Sequence, residues 1–206
     1  MTGSLFPEFD DTPKPPVPQH FDLTTALRAL MTDITLVADE LNHVDMSRVV
    51  VIFSQARHNG SHGVRAALYP LRFEGGERRA RVRGHEFEMP KVKIGDHEAL
   101  YAVSFMVPRF LNLPFDEKMM IVVHEMYHIS PAFDGDVRRL PGGNPYHTGS
   151  MRKFNETMAA IATRYLAATD RPELHGFLRH NFSQLVQTHG KVVGMRMRAP
   201  NPRCIG

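Results

Sequence analysis

Seven apolar residues recur every three or four positions after Gln19, and this spacing predicts one long amphipathic helix. They are Leu23, Leu27, Leu30, Ile34, Val37, Leu41 and Val44. The stripe corresponds to a helix of about six turns, and Asp22 is its candidate N-cap. Three heptads without a matching partner stripe are typical of a helix that covers a sheet rather than of a coiled coil. The rest of the chain is therefore expected to supply that sheet.

Four strand-like segments follow this stripe and precede the next helical pattern. They are Arg48–Gln55, Val64–Phe73, Arg78–Phe87 and Leu100–Val107. The second and third flank the sequence EGGE at 74–77, which is typical of a hairpin turn, so we expect these two strands to pair. Arginines alternate with apolar residues in the third strand, which predicts that one of its faces is basic.

Helical patterns return after the last strand and complete the fold prediction. A long helix is predicted from Asp116 to Ile129, and Pro131 ends it because proline disfavours helix at the preceding residue. A connection rich in Gly, Pro and Asp then leads to two further predicted helices, at Met151–Thr169 and Pro172–Thr188. The order helix, three or four strands, helix, loop, helices predicts the α+β class.

Length and composition define the expected domain organisation. The 206 residues suit one domain at 21–190, between a proline-rich flexible arm at 1–20 and a basic tail at 191–206. One cysteine excludes a disulfide framework and any site built from several thiolates. The apolar runs are too short to span a membrane and the first 19 residues lack signal-peptide features, so a cytoplasmic location is expected. The 12 histidines are the unusual feature, because histidine is the commonest metal ligand.

The strongest chemical signal is the sequence HEMYH, from His124 to His128, inside the predicted Asp116–Ile129 helix. Histidines at i and i+4 share a helix face, so both imidazoles can reach one metal ion. Glu125 can then take a proton from a metal-activated water. At this composition chance would produce about 0.04 such motifs in the chain. The motif therefore predicts a catalytic zinc site.

A catalytic zinc site needs a third protein ligand, and three downstream residues are candidates. Asp134 occupies a position where some zinc peptidases place a ligand, but Pro131 stands where they need a glycine. Glu156 matches the pattern in which a glutamate on a later helix is the ligand. His147 precedes the Met151–Thr169 helix after a connection long enough to fold back, and it would complete a site of three neutral imidazoles.

The stretch from Ile121 to Tyr165 resembles the zincin superfamily of HExxH metallopeptidases, and in particular the SprT-like and phage metallopeptidases. The pattern here reads HExxH at 124–128, then His147, then the aromatic Phe154. The resemblance implies a minimal zincin-like fold, with His124, His128 and His147 as zinc ligands and Glu125 as general base. Two features depart from SprT proteins, since Thr148 replaces a glycine and the single Cys204 cannot build their zinc ribbon.

These observations predict a zinc-dependent endopeptidase that acts on protein or peptide substrates. Tyr146 is the candidate side chain for stabilising the oxyanion, whereas Tyr127 faces another side of its helix and is expected in the core. The Leu100–Val107 strand is expected to be the edge that pairs with an extended substrate. The alternative is a nucleic-acid-associated protein whose basic surface binds DNA and whose zinc site is structural or regulatory. The sequence HNGSHG at 58–63 also spaces two histidines by four, but its glycines predict a loop.

Overall fold

The computed structural model describes residues 20–56, 63–139 and 151–206. Within these residues the chain is a mixed α+β structure, as predicted, and its helices cover one face of a small sheet. The α-helices are α1 (Leu23–Val37), α2 (Phe115–Tyr127), α3 (Met151–Ala168), α4 (Glu173–Gly176) and α5 (Phe182–His189). The predicted flexible arm lies almost wholly outside the described residues, and the HNGSHG loop lies outside them except for Gly63.

Ten short strands form four small sheets in the described part of the chain. The strands are β1 (Phe21–Asp22), β2 (Val49–Gln55), β3 (Ala66–Pro70), β4 (Arg79–Val82), β5 (His85–Glu88), β6 (Lys93–Ile94), β7 (His97–Glu98), β8 (Tyr101–Val107), β9 (Val192–Val193) and β10 (Arg203–Cys204). The central sheet has the order β2-β8-β3, in which β8 runs parallel to β2 and antiparallel to β3. The other sheets pair β4 with β5 and β10, β1 with β9, and β6 with β7.

Strand pairing corrects two sequence-based expectations. The predicted hairpin about the EGGE sequence is wrong, because β3 joins the central sheet while β4 pairs with β5. The real tight turn lies at Arg83 and Gly84, both of which have positive φ angles of 51° and 87°. The expected edge strand is also wrong, since β8 lies between β2 and β3 and bonds to both. The edge beside α2 is β3 instead.

The middle strand of the central sheet, β8, is buried on both of its faces. Tyr101, Val103 and Phe105 point from β8 into the main core beneath the helices. Ala102, on the opposite face, joins a second cluster with Val50 and residues of the segment 92–94. Small side chains on that face let a thin layer of chain cover it, whereas the large ones need the helices.

Two of the predicted helices extend beyond the helices that the structure contains. Asp22 caps α1 as expected, because its side chain accepts the Thr25 backbone N–H at 3.0 Å. However, α1 ends at Val37, and the apolar stripe continues through a short 3₁₀ turn that still buries Leu41. The predicted helix at 172–188 is two helices, α4 and α5, separated by a 3₁₀ turn and capped anew at Asn181.

The predicted basic tail runs over the surface and joins sheets at two places. β9 pairs with β1 beside α1, and β10 adds to β5 as the outer strand of the small three-stranded sheet. Between them, Phe53 donates its backbone N–H to the Met195 carbonyl at 3.0 Å, which covers the free edge of β2. Among the described residues, every helix is too short or too polar to cross a bilayer.

Candidate metal centre

Helix α2 carries the HEMYH motif, and its buried side chains hold it firmly in the core. Met119, Val122, Val123 and Met126 are fully buried beneath it, at the i, i+3, i+4 and i+7 positions of one face. Acidic residues in the first turn, Asp116 among them, suit the positive end of the helix dipole. The motif therefore sits at the end of a helix that the core, rather than helix propensity alone, keeps in place.

The two histidines of the motif lie side by side, as their spacing predicts. The imidazole centroids of His124 and His128 are 4.7 Å apart and the rings meet edge to face. Phe154 of α3 packs against both rings, with centroid distances of 5.0 Å to His124 and 5.8 Å to His128. This phenyl ring is buried, so it shields one side of the pair from water and limits how the imidazoles can rotate.

Glu125 is buried beside the pair and has one backbone partner. Glu125 is only 7% exposed, and the Leu68 backbone N–H donates a hydrogen bond to its carboxylate. Burial raises the pKa of Glu125 to about 7, while the Leu68 N–H acts in the opposite direction. A carboxyl group of this kind can accept and release a proton near neutral pH.

The β3 edge forms the opposite wall of the cleft from α2. The Leu71 N–H donates to the Leu100 carbonyl, and the Arg65 carbonyl accepts the Met106 N–H. The backbone N–H and C=O groups of odd-numbered residues in this segment therefore point towards β8. Even-numbered residues, including Ala66 and Leu68, therefore direct their backbone groups towards the cleft. Pro70 is also even-numbered, which places its missing N–H on the unpaired side, where proline is tolerated.

The cleft has two compartments on either side of Glu125. The larger, of about 350 Å³, lies at His124 and is bounded by Ala66, Met120 and Ile121. The smaller, of about 210 Å³, lies at His128 and is bounded by Ala66, Leu68 and Val137. Glu125 lines both compartments, so its carboxylate separates the spaces beside the two imidazoles.

The donors present fit a zinc ion in type and spacing, although the described residues supply only two of them. Two neighbouring imidazoles on one helix face are a common zinc ligand pair. Within residues 20–56, 63–139 and 151–206, no group of three His, Cys, Asp or Glu side chains forms around them. His147, the predicted third ligand, and Tyr146, the predicted oxyanion residue, lie outside the described residues.

The other two ligand candidates are not brought to the histidine pair. The Glu156 side chain is 63% exposed and pairs with Arg152 at 3.6 Å, two residues beyond the phenyl ring that faces the site. A helix turns by about 200° over two residues, so Phe154 and Glu156 point to opposite sides of α3. Asp134 instead accepts the Asp136 backbone N–H at 3.1 Å, within its own loop.

Two contacts at the site are not predicted by the sequence. Leu68 acts through its backbone N–H, which carries no residue-type signal, although Pro70 two residues later is typical of an edge strand. Arg138 lies with its guanidinium carbon 4.1 Å from the centre of the Tyr127 ring, and its Nε donates to the Tyr127 carbonyl at 2.7 Å. Tyr127, expected in the core, is only half-buried, and its ring lies 5.8 Å from that of Phe154 at the edge of the main core.

The predicted basic face carries acidic partners in the structure. The register of β4 against β5 places Arg79 opposite Glu88 and Arg81 opposite Glu86. Arg79 and Glu88 form an ion pair at 3.1 Å, which lowers the positive charge that this face presents.

Comparison of the chain with protein-family models, with curated proteins and with solved structures finds no match.

Proposed function

We propose that this chain is a zinc-dependent endopeptidase with a minimal zincin-like arrangement, in which Glu125 is the general base. One observation carries the proposal: a buried carboxylate lies beside two imidazoles 4.7 Å apart, in a cleft bounded by a strand edge that pairs with no other strand among residues 20–56, 63–139 and 151–206. Peptide hydrolysis needs these three elements, since the substrate must be held extended while a water is activated beside it.

His124 and His128 would hold the zinc ion, and His147 is the predicted third ligand. Bound zinc supplies Lewis-acid chemistry, which lowers the pKa of a water molecule and polarises a carbonyl oxygen. The Glu125 carboxylate takes a proton from the attacking water and returns it to the leaving peptide nitrogen. The Leu68 N–H orients that carboxylate during both transfers, because it fixes one of the two oxygens.

The cleft favours an extended peptide with an apolar side chain near the scissile bond. Ala66 lines both compartments and turns its backbone N–H and carbonyl towards the cleft, where they can pair with substrate backbone. The larger compartment is bordered by Val64 and Met151, which are 56% and 51% exposed. Exposed apolar side chains that converge on one cleft are typical of a surface that is covered on binding.

The nucleic-acid alternative gains no support from the arginine-rich strand. Phosphate binding requires an excess of positive charge along the contacted surface, and the glutamates of β5 stand opposite two of the arginines. The basic residues of the tail are spread along an extended segment that covers the β2 edge. Salt dependence of binding to a DNA duplex remains the direct test of that alternative.

The Glu125→Gln variant tests the proposed function, with Glu117→Gln as its control. Glu117 lines the same cleft on the same helix but is exposed, two turns before the general base. We expect Glu125→Gln to bind one zinc per chain yet to lose at least about 10²-fold in the hydrolysis of unfolded casein. Glu117→Gln should also bind one zinc per chain and should lose far less activity than Glu125→Gln, because it leaves the proposed general base in place. Equal hydrolysis by wild type and Glu125→Gln, or none by zinc-loaded wild type, would overturn the proposal.

A further inference from the structure

The end of α2 is the part of the proposed metal centre that depends most on residues outside the motif. His128 is the C-cap residue of α2, whereas His124 lies a full turn inside the helix. The last carbonyls of a helix have no partner within it, and helix ends fray unless other groups satisfy them. Loss of order at this end would therefore displace the second imidazole before the first.

Arg138 supplies two of the hydrogen bonds that this end of the helix needs. Its Nε donates to the Tyr127 carbonyl at 2.7 Å, and its backbone N–H donates to the His128 carbonyl at 2.7 Å. The same guanidinium covers the Tyr127 ring at 4.1 Å, which is a cation–π contact. Its positive charge also suits the negative end of the helix dipole.

The usual glycine cap is absent from this helix end, which explains why another group takes its place. Ile129 and Ser130 follow the C-cap, and the next positive φ angle is at Phe133. The His43 imidazole donates to the Ile129 backbone from another side. The side chains of Arg138 and His43 therefore add donors to the backbone turn that closes at the Met126 carbonyl.

The loop that carries Arg138 is itself held in a fixed position. Ile129 and Val137 form a β-bridge, so the chain folds back directly onto the helix end. Tyr101 of the central strand β8 donates its hydroxyl proton to the Asp136 carbonyl at 2.9 Å. The same hydroxyl oxygen accepts the Gly135 N–H at 2.9 Å. The guanidinium is thus tied through a rigid loop to the centre of the sheet.

We propose that Arg138 is the positioning residue for His128, holding the C-terminal end of α2 so that the second imidazole stays beside the first. The proposal rests on the proposed function, because it assigns Arg138 a role in zinc affinity. Arg138 makes no contact with substrate in this role. The guanidinium acts through the Tyr127 carbonyl and the Tyr127 ring, whereas the backbone bond to the His128 carbonyl is available to any residue except proline at this position.

The test compares Arg138→Ala and Arg138→Lys with the matched control Arg139→Ala. Arg139 is the next residue and forms ion pairs with Asp136 and Glu74, but it makes none of these contacts with α2. We expect Arg138→Ala to weaken Zn²⁺ binding by about 10- to 100-fold in competition with a chromophoric chelator. Arg138→Lys should recover part of that loss, and Arg139→Ala should bind zinc like wild type. Equal zinc affinity in Arg138→Ala and wild type, or an equal loss in Arg139→Ala, would overturn the proposal.

Amide hydrogen exchange in the metal-free protein gives a readout that does not depend on zinc or on activity. We expect faster exchange at His128 and Ile129 in Arg138→Ala, and unchanged exchange there in Arg139→Ala. Absence of this difference overturns the positioning role. If wild type binds no zinc, the proposed function fails, whereas the exchange data still decide the role of Arg138.

A further pair of variants keeps the proposal testable if Arg138→Ala does not fold. Tyr127→Leu removes the ring that Arg138 covers, whereas Tyr127→Phe retains the ring face and changes only the hydroxyl. We expect Tyr127→Leu to reproduce the loss of zinc affinity and Tyr127→Phe to leave it unchanged. The same zinc affinity in both variants would contradict the contact on which the positioning role depends.

Discussion

The Leu68 backbone N–H donates a hydrogen bond to the Glu125 carboxylate, and this contact joins the edge of the central sheet to the helix that carries the two histidines. A strand edge normally presents its N–H groups to solvent or to another chain. Here one such group is taken by a buried side chain of α2. The contact therefore divides the cleft and fixes where an extended ligand can reach β3.

This contact predicts different stabilities for two variants of Glu125. Glutamine keeps an acceptor oxygen for the Leu68 N–H, whereas alanine removes that acceptor from the half-buried strand edge. We expect Glu125→Ala to lower the free energy of unfolding by about 0.5–1.5 kcal/mol more than Glu125→Gln does. Urea denaturation of both variants, with the exposed Glu117→Ala as control, measures the difference. Equal stability of the two Glu125 variants would show that the hydrogen bond is energetically unimportant.

The third zinc ligand can be assigned by metal stoichiometry. We expect His124→Ala, His128→Ala and His147→Ala each to lower the zinc content well below one ion per chain. Glu156→Ala should retain one ion, because the structure pairs this exposed carboxylate with Arg152 instead. Measurement of bound zinc after dialysis decides between His147 and Glu156. Loss of zinc in Glu156→Ala together with retention in His147→Ala would contradict the assignment.

The helices of the site could be predicted because their signals are local. The apolar spacing of α2 and the ending at Pro131 place the motif on one helix to within two residues. The side of the helix that each motif residue occupies then follows from 3.6 residues per turn. The same reasoning found the N-cap at Asp22.

Strand order could not be predicted from the same signals, since it depends on pairing between distant segments. The alternation of large and small residues in β8 resembles a strand with one exposed face. In the structure the small face, with Ala102 and Ser104, is buried, and the segment 92–94 and Met197 of the tail pack on the cluster that contains Ala102. The two-part contact of Arg138 with α2 is equally non-local, because it requires the loop to fold back at the Ile129–Val137 bridge.

Lys118 of α2 predicts a pH dependence of stability that is separate from the metal centre. It is 2% exposed, and its ammonium group donates to the carbonyls of Leu178 at 2.8 Å and His180 at 2.7 Å. Burial lowers the pKa of Lys118 from 10.5 to about 8. The folded protein therefore loses this proton at a lower pH than the unfolded chain does. Because the unfolded chain binds more protons between the two values, stability rises with pH in that window.

The size of the pKa shift of Lys118 predicts that the free energy of unfolding rises by about 2 kcal/mol between about pH 7 and about pH 9.5. Lys118→Met lacks the titrating group, so its free energy of unfolding should miss this increment over the same range. Lys91→Met, which changes an exposed lysine, should follow wild type. Urea denaturation at the two pH values gives the difference. Parallel pH profiles for wild type and Lys118→Met would show that burial does not perturb this lysine.

The apolar border of the larger compartment predicts the side-chain preference of the proposed peptidase. Val64→Lys and Met151→Lys alter side chains that are already half exposed, so the fold should tolerate them. Each would place a charge where we expect an apolar substrate side chain, and should raise KM for a peptide with leucine beside the scissile bond by about 3- to 10-fold. The kcat value should change little, because neither residue belongs to the HEMYH motif that carries the proposed ligands and general base. Leu36→Lys is the control, since Leu36 is 72% exposed and lies on α1, outside the cleft. Unchanged KM in both cleft variants would show that this border does not contact the substrate.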